Sequence, residues 1–247
     1  MSEERKLKAS LIGLDNLIED LFGLNAKAFK SIWKSFSTPK TYAIAATDSK
    51  WSETFTPTVR VWVGLVAFYS ALRFFYGSED GGMTQMYVEM FDAEIAKNPG
   101  SSFAEVDTTL LAQSVLKWTF VFFPLIMLPL YGCLAFIFRV WPDKPSFVVR
   151  FRYIMLTVLP GTTFTALLTI TYVFLQGAML ALIMVISLAG ILLFDGLTAY
   201  RGTLHSVKSG KLGLSIVLSI LLFIAFSIGS FAAAIPAGMA AMMEVAP

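Results

Sequence analysis

In "GILLFDGLTAYRG", residues 190–202, one carboxylate, Asp195, interrupts a run that is otherwise apolar for most of twenty residues. An acid placed there can serve a solute or proton pathway, the default role of ionisable groups inside a membrane. It can also be a fastening, paired with a basic side chain near the membrane edge. If the run ends near Tyr200, Asp195 lies about 7 Å below that edge at 1.5 Å per residue, a depth that favours the fastening. Arg201 is six residues on and points well away from it on a helix. Arg60, just inside the first apolar segment, and Arg152, at the start of the third, are the expected partners in an intramembrane ion pair.

Little else in the chain has the spacing of a reactive site. His205, the only histidine, lies in a basic turn beside Arg201 and Lys208 with no second histidine or cysteine to complete a metal pair. Cys133, the only cysteine, sits in an apolar run with no nearby histidine and is expected to be a buried thiol. "KSGKLG" contains a Gly-Lys pair, but a phosphate loop needs a glycine five residues upstream, where His205 stands, and a preceding strand. The acids of 77–114 lack the short-spaced oxygen ligands and central glycine of a calcium loop. With no nucleophile elbow, haem-ligand pair or dinucleotide motif, no catalytic, cofactor-binding or metal-binding residue is assigned. A non-enzyme without a cofactor is expected.

The elements that carry these residues are set by composition. The 247 residues are 56% hydrophobic and 15% charged, with a mean hydropathy of +0.70, where soluble domains carry roughly 25% charged residues. A net charge of +2 gives no reason to expect nucleic acid as a partner. A bilayer core of about 30 Å needs about 20 mostly apolar residues as a helix, and five segments qualify, roughly 58–76, 115–138, 153–175, 178–199 and 212–235. The expected fold is an all-α, five-span transmembrane bundle, with "QGA" as a tight hairpin between the third and fourth spans.

Lysines and arginines orient it. Residues 1–56 hold eight, 139–152 four and 200–211 three, whereas 77–114 holds only Lys97 against seven acids. Cytoplasmic loops carry the Lys/Arg excess, so the N-terminus is expected in the cytoplasm and the C-terminus outside it. The location implied is a membrane that the chain crosses several times. The expected organisation is 1–56 as cytoplasmic amphipathic helices and 57–247 as the membrane domain, with an extracytoplasmic loop at 77–114.

In the first part, Leu7, Leu11, Leu14, Ile18 and Leu21 share one helical face. Gly23 ends that helix, and Asn25 can cap the next. In "AKAFKSIWKSF", Lys27, Lys30 and Lys34 take one side and Phe29, Ile32, Trp33 and Phe36 another, a pattern that suits a helix in the lipid headgroup layer. The same apolar face could instead pack on the ends of the spans. Within 77–114, Met83, Met86, Tyr87, Met90, Phe91 and Ile95 follow helical spacing before "NPG" breaks the helix, which reads as a cap over the bundle. Ser102 and Glu105 have capping-box spacing.

Inside the spans, Pro124, Pro129 and Pro160–Gly161 are expected kinks, with threonines 162, 163, 165 and 169 able to satisfy freed carbonyls. Ala225, Gly229 and Ala233 form a small-residue seam that permits close helix approach, more plausibly within the bundle than to another subunit.

"FGLNAKAFKSIWKSFSTPKTY…FTPTVRVWVGLVAFYSAL", "WTFVFFPLIMLPLYGCLAFIFR" and "AYRGTLHSVKSGKLGLS" resemble a family of bacterial polytopic membrane proteins of unknown function, over about residues 20–235. Many members begin with a zinc ribbon of paired cysteines. This chain has none of them, so no metal role carries over. The layout is also similar, more weakly, to the five-span Yip-type proteins of vesicle traffic. Neither resemblance implies an activity. The role expected first is an accessory or scaffold subunit of a larger membrane complex, with membrane lipids and other membrane subunits as partners. The alternative is a transporter or channel for a small or lipidic solute, using the kinked second and third spans.

Overall fold

Long runs of apolar residues can satisfy their backbone groups in a membrane only by coiling into helices, and helices are what this chain forms. The computed structural model describes residues 26–48, 50–72, 81–99, 106–137, 146–175, 177–202 and 208–245. Their order is α1 (Ala26–Ser37), α2 (Pro39–Ala45), α3 (Trp51–Thr54), α4 (Thr58–Ala71), α5 (Gly82–Lys97), α6 (Thr108–Ile137), α7 (Phe147–Thr169), α8 (Gly177–Gly202) and α9 (Lys208–Val245), with a 3-10 turn at Ile170–Val173. The N-terminal leucine stripe, Gly23, Asn25, the Ser102/Glu105 pair and His205 lie outside the described residues.

Four helices, α6 to α9, are long and apolar enough to cross a membrane. The expected first span appears as α4, whose 14 residues rise about 21 Å, short of a 30 Å core; residues 73–80 lie outside the described part. The last helix is longer than expected, running through Pro236 to Val245. Outward faces carry bare hydrophobic side chains, Leu125, Val185, Leu193 and Ile228 each being more than half exposed. Water would penalise such a surface, and lipid does not. Cys133 belongs to this outer face and is exposed, not buried: Met127, Tyr131 and Ala135 turn inward at four-residue spacing, which leaves position 133 on the opposite side.

α7 is the central helix, with every residue from Tyr153 to Gly161 buried. α8 runs antiparallel to it, since the Tyr153 hydroxyl donates to the Ala199 carbonyl at 2.9 Å while Gly161 meets Asp195. α6 and α9 form a second antiparallel pair. Their seam extends the expected one: Ala225, Gly229, Ala233, Ala237 and Ala241 are all buried at four-residue spacing. A side chain at Gly229 would collide with Met127 and touch Leu130 of α6, so the seam serves packing within the bundle. At the distal end, Glu244 accepts from Ser114 and Trp118 at 2.6 and 2.8 Å and pairs with Lys117. Asp107 caps α6 by accepting the Thr109 and Leu110 amides. α5 lies against α6 and α8, where Met83 and Met86 pack on Leu180 and Phe120.

At the basal end, α1 to α3 form a platform across the bundle. α1 buries its small residues Ala28, Ser31 and Ser35 rather than its aromatics; Phe29 and Trp33 are 51% and 68% exposed. The Ser31 hydroxyl accepts the Thr56 amide at 3.0 Å, and the Tyr42 hydroxyl donates to the Thr56 carbonyl at 3.1 Å. Burial pushes the Tyr42 phenol up, so it stays a neutral donor. Two arginines of the spans reach into the platform. Arg201 donates to the Phe36 and Ser37 carbonyls at the end of α1 (2.9 and 2.7 Å). Arg152 donates to the Ala46 carbonyl after α2 at 3.0 Å and lies over the Trp51 ring. Both cations meet the negative end of a helix dipole.

The seam yields a prediction. Gly229→Leu must displace Met127 and should destabilise by about 1–3 kcal/mol. Gly132→Ala, with nothing within 4 Å, should be neutral or slightly stabilising. Melting of the two variants in detergent checks both, and equal losses would place the seam elsewhere.

Candidate functional site

Where α7 meets α8, three residue types combine: a proline without an N–H, a glycine without a side chain and an acid. Pro160 lies inside α7, and its helix continues through it, as α6 does through Pro124 and Pro129. At Gly161 a Cβ would collide with the Asp195 carboxylate and stand 3.1 Å from the Ile191 Cα. The missing side chain therefore lets the acid approach the α7 backbone, and the Gly161 amide donates to Asp195 Oδ1 at 3.1 Å. Gly190 does the same service one and a half turns along, where a Cβ would enter the Phe164 ring.

Asp195 is 3% exposed. The expected ion pair is not formed: among the described residues no ion pair joins Asp195 to Arg60 or Arg152. Arg152 is drawn instead to the platform carbonyls and Trp51, and Arg60 stands exposed in the first turn of α4. Asp195 Oδ1 has the Gly161 amide, and no described group donates to Oδ2.

The carboxylate opens onto an interior cavity of about 170 Å³. Every helix from α4 to α9 contributes to it, through Trp62, Met83, Phe120, Thr165, Asp195 and Phe226 among others. Met83 and Tyr87 of α5 line it as well, so the cap expected over the bundle bounds the cavity. Two of its hydroxyls, Thr119 and Thr165, are buried without a hydrogen-bond partner. Such groups are uncommon in packed interiors, and each points to something that the protein itself does not supply.

The threonines do not behave as the kink suggested. Thr162, Thr163 and Thr169 donate to the carbonyls of Val158, Leu159 and Thr165, each four residues back. None reaches the Leu156 carbonyl, the one that Pro160 leaves without its usual donor. The Thr165 hydroxyl makes no bond and faces the cavity.

Of the residues singled out from sequence, the structure thus brings Asp195, Pro160 and Gly161 together. It separates Arg60 and Arg152 from them, and it turns the seam toward α6. Lys27 and Lys30 stay exposed on α1, Lys34 is half-buried, and Phe36 meets Phe194 edge-on at 5.7 Å. The Glu244 cluster was not anticipated; its partners lie 126 to 130 residues away in sequence. Tyr131, in the cavity wall beside the acid, was also missed, for an aromatic in an apolar run carries no signal of which way it points.

No family model, curated protein or solved structure matches the chain. What the residues define is an all-α protein with four helices of membrane-spanning length around a partly polar cavity.

The missing ion pair reverses a mutational expectation. Asn at 195 can still accept the Gly161 amide, so Asp195→Asn should keep its melting temperature, and adding Arg152→Gln should rescue nothing. Gly161→Ala should destabilise clearly, because helix and carboxylate must part. A fall in Asp195→Asn that Arg152→Gln restores would reinstate the ion pair.

Proposed function

We propose that this is a non-enzymatic, multi-pass protein of the bacterial inner membrane that holds a small solute within its bundle, as a transporter or channel does. The observation that carries this reading is the cavity, bounded by six helices, with an acid that meets no counter-charge and two hydroxyls that meet no partner among the described residues. A subunit whose only task is to dock neighbours has no need of polar groups left open in its core. α4 serves as a short fifth span. The basic platform faces the cytoplasm: among the described residues Lys27, Lys30, Lys34, Arg60, Arg152 and Arg201 lie at that end, while Glu89, Asp92 and Glu94 lie at the other. Exposed Phe29 and Trp33 sit beside these lysines, which suits contact with lipid headgroups.

The accessory-subunit role has one observation of its own. Phe231, Ile235, Met239 and Met243 form an exposed stripe at near four-residue spacing. It lies beyond the roughly 20 residues of α9 that cross a bilayer counted from Lys211.

Reporters fused after Lys40 should read cytoplasmic and reporters in the 82–97 helix extracytoplasmic; the reverse result would invert the bundle. Single-ring solutes of cavity size should raise the melting temperature of the purified chain in proportion to RT ln(1 + [L]/Kd), about 2.7 kcal/mol at 100 times Kd. Ala166→Phe, which fills the cavity from α7, should abolish that protection. If no such solute protects and another membrane protein co-purifies in stoichiometric amount, the accessory role replaces this one.

A further inference from the structure

A carboxylate buried in a membrane bundle is expensive unless something neutralises it. The described basic side chains near Asp195 are engaged elsewhere: Arg152 with the platform and Trp51, Arg201 with the end of α1, Lys211 over the Tyr200 ring at 4.6 Å. Among the described residues nothing neutralises it, which leaves a proton or a cation from outside the chain. The surroundings of the free oxygen narrow the choice. Anions are repelled by the acid itself. A bare divalent metal ion needs six or more oxygen ligands, whereas Asp195 is the only carboxylate lining the cavity, and among the described residues no three metal-binding side chains come together.

The walls are aromatic. Trp62, Tyr69, Phe120, Phe123, Tyr131 and Phe226 all line the cavity. Trp62 stands edge-on to Tyr131 at 5.8 Å, and Phe123 edge-on to Phe226 at 5.9 Å. Ring faces attract cations, and aromatic cages are a recurrent device for binding substituted ammonium groups. The size is equally restrictive. A cavity of about 150 Å³ holds benzene, and this one measures about 170 Å³.

We propose that the cavity takes a small organic cation, an amine built on no more than one ring, with its ammonium on Asp195 Oδ2 and its apolar part between the aromatic walls. The proposal rests on the solute-binding reading above. The Gly161 amide holds the other carboxylate oxygen and so aims the acid into the cavity. Thr119 and Thr165 provide hydrogen bonds for a hydroxyl or second amine on the ring, which an unsubstituted hydrocarbon leaves unused.

The test uses the full chain in lipid nanodiscs, with benzylamine, benzyl alcohol and benzoate as probes of nearly equal size. Thermal protection and a binding isotherm are measured for each. Benzylamine should bind at least tenfold more tightly than benzyl alcohol, and benzoate should not bind. Asp195→Asn should remove the preference for the amine while leaving the affinity for benzyl alcohol within about twofold. Equal affinity of the wild-type chain for the amine and the alcohol would overturn the proposal, whatever the variant does. It would mean that the acid carries its own proton, and would leave solute binding standing. Failure of all three probes to bind would remove the solute-binding reading as well.

Discussion

The close approach of α7 and α8 at Gly161 and Asp195 is the contact on which the rest of this bundle is arranged. In lipid there is no hydrophobic drive to press helices together, and they associate where small residues let backbones meet. Gly161 and Gly190 are such places, each filled by a side chain from the facing helix. This makes α7 the most enclosed of the four span-length helices, with an unbroken buried stretch from Tyr153 to Gly161. It also brings a charge-bearing group to the centre of the bundle and leaves space beside it. The α6–α9 pair solves the same packing problem differently. Its five-residue alanine–glycine seam closes tightly at the distal end, where Glu244 gathers three donors. The two pairs, one held by a glycine–acid contact and one by a seam, enclose the cavity between them.

The basal platform follows from helix ends. A helix leaves its last carbonyls without internal partners, and α1 and α2 both stop near the surface of the spans. Arg201 and Arg152 supply the missing donors. Guanidinium groups suit this task because they present several N–H donors in a fixed fork. These bonds explain why the arginines do not sink toward Asp195. Carbonyl ends and the Trp51 face lie nearer the membrane edge, where a cation loses less hydration.

Much of the architecture was legible because membrane helices announce themselves through length and hydropathy. The α6–α9 spans, the break at "NPG", the cap at 82–97 and the Ala225/Gly229/Ala233 seam all follow from periodicity and residue size. The α1 helix was legible as a helix but not in its orientation. Lysines and aromatics dominate its pattern, yet the face that docks is Ala28, Ser31 and Ser35, since small residues allow the closest approach and Ser31 has a backbone amide to accept. The partner of Asp195 was illegible for a related reason. Opposite charge suggested an arginine, whereas the acid meets a backbone N–H that only a glycine exposes. Depth alone also misled. A residue five positions from the end of a helix is shallow along the axis, yet it can be wholly enclosed when its side faces the bundle, as here. The Glu244 cluster depends on the register between helices more than 120 residues apart, which no local pattern encodes.

Within two turns, α8 carries three contacts of different kinds. Phe194 packs on Phe36 of α1, Asp195 faces the cavity and Arg201 holds the end of α1. Phe194 also meets Phe164 of α7 at 4.9 Å, next to the glycine-spaced crossing. The platform and the cavity therefore share one rigid element, and neighbouring residues of it point to each. A helix transmits a displacement along its axis with little loss, because its hydrogen-bonded backbone is stiff compared with the side-chain contacts around it. Any change of α8 that accompanies occupation of the cavity must be felt by Phe36 and by the carbonyls that Arg201 holds. By reciprocity, whatever free energy couples the two sites acts equally in both directions.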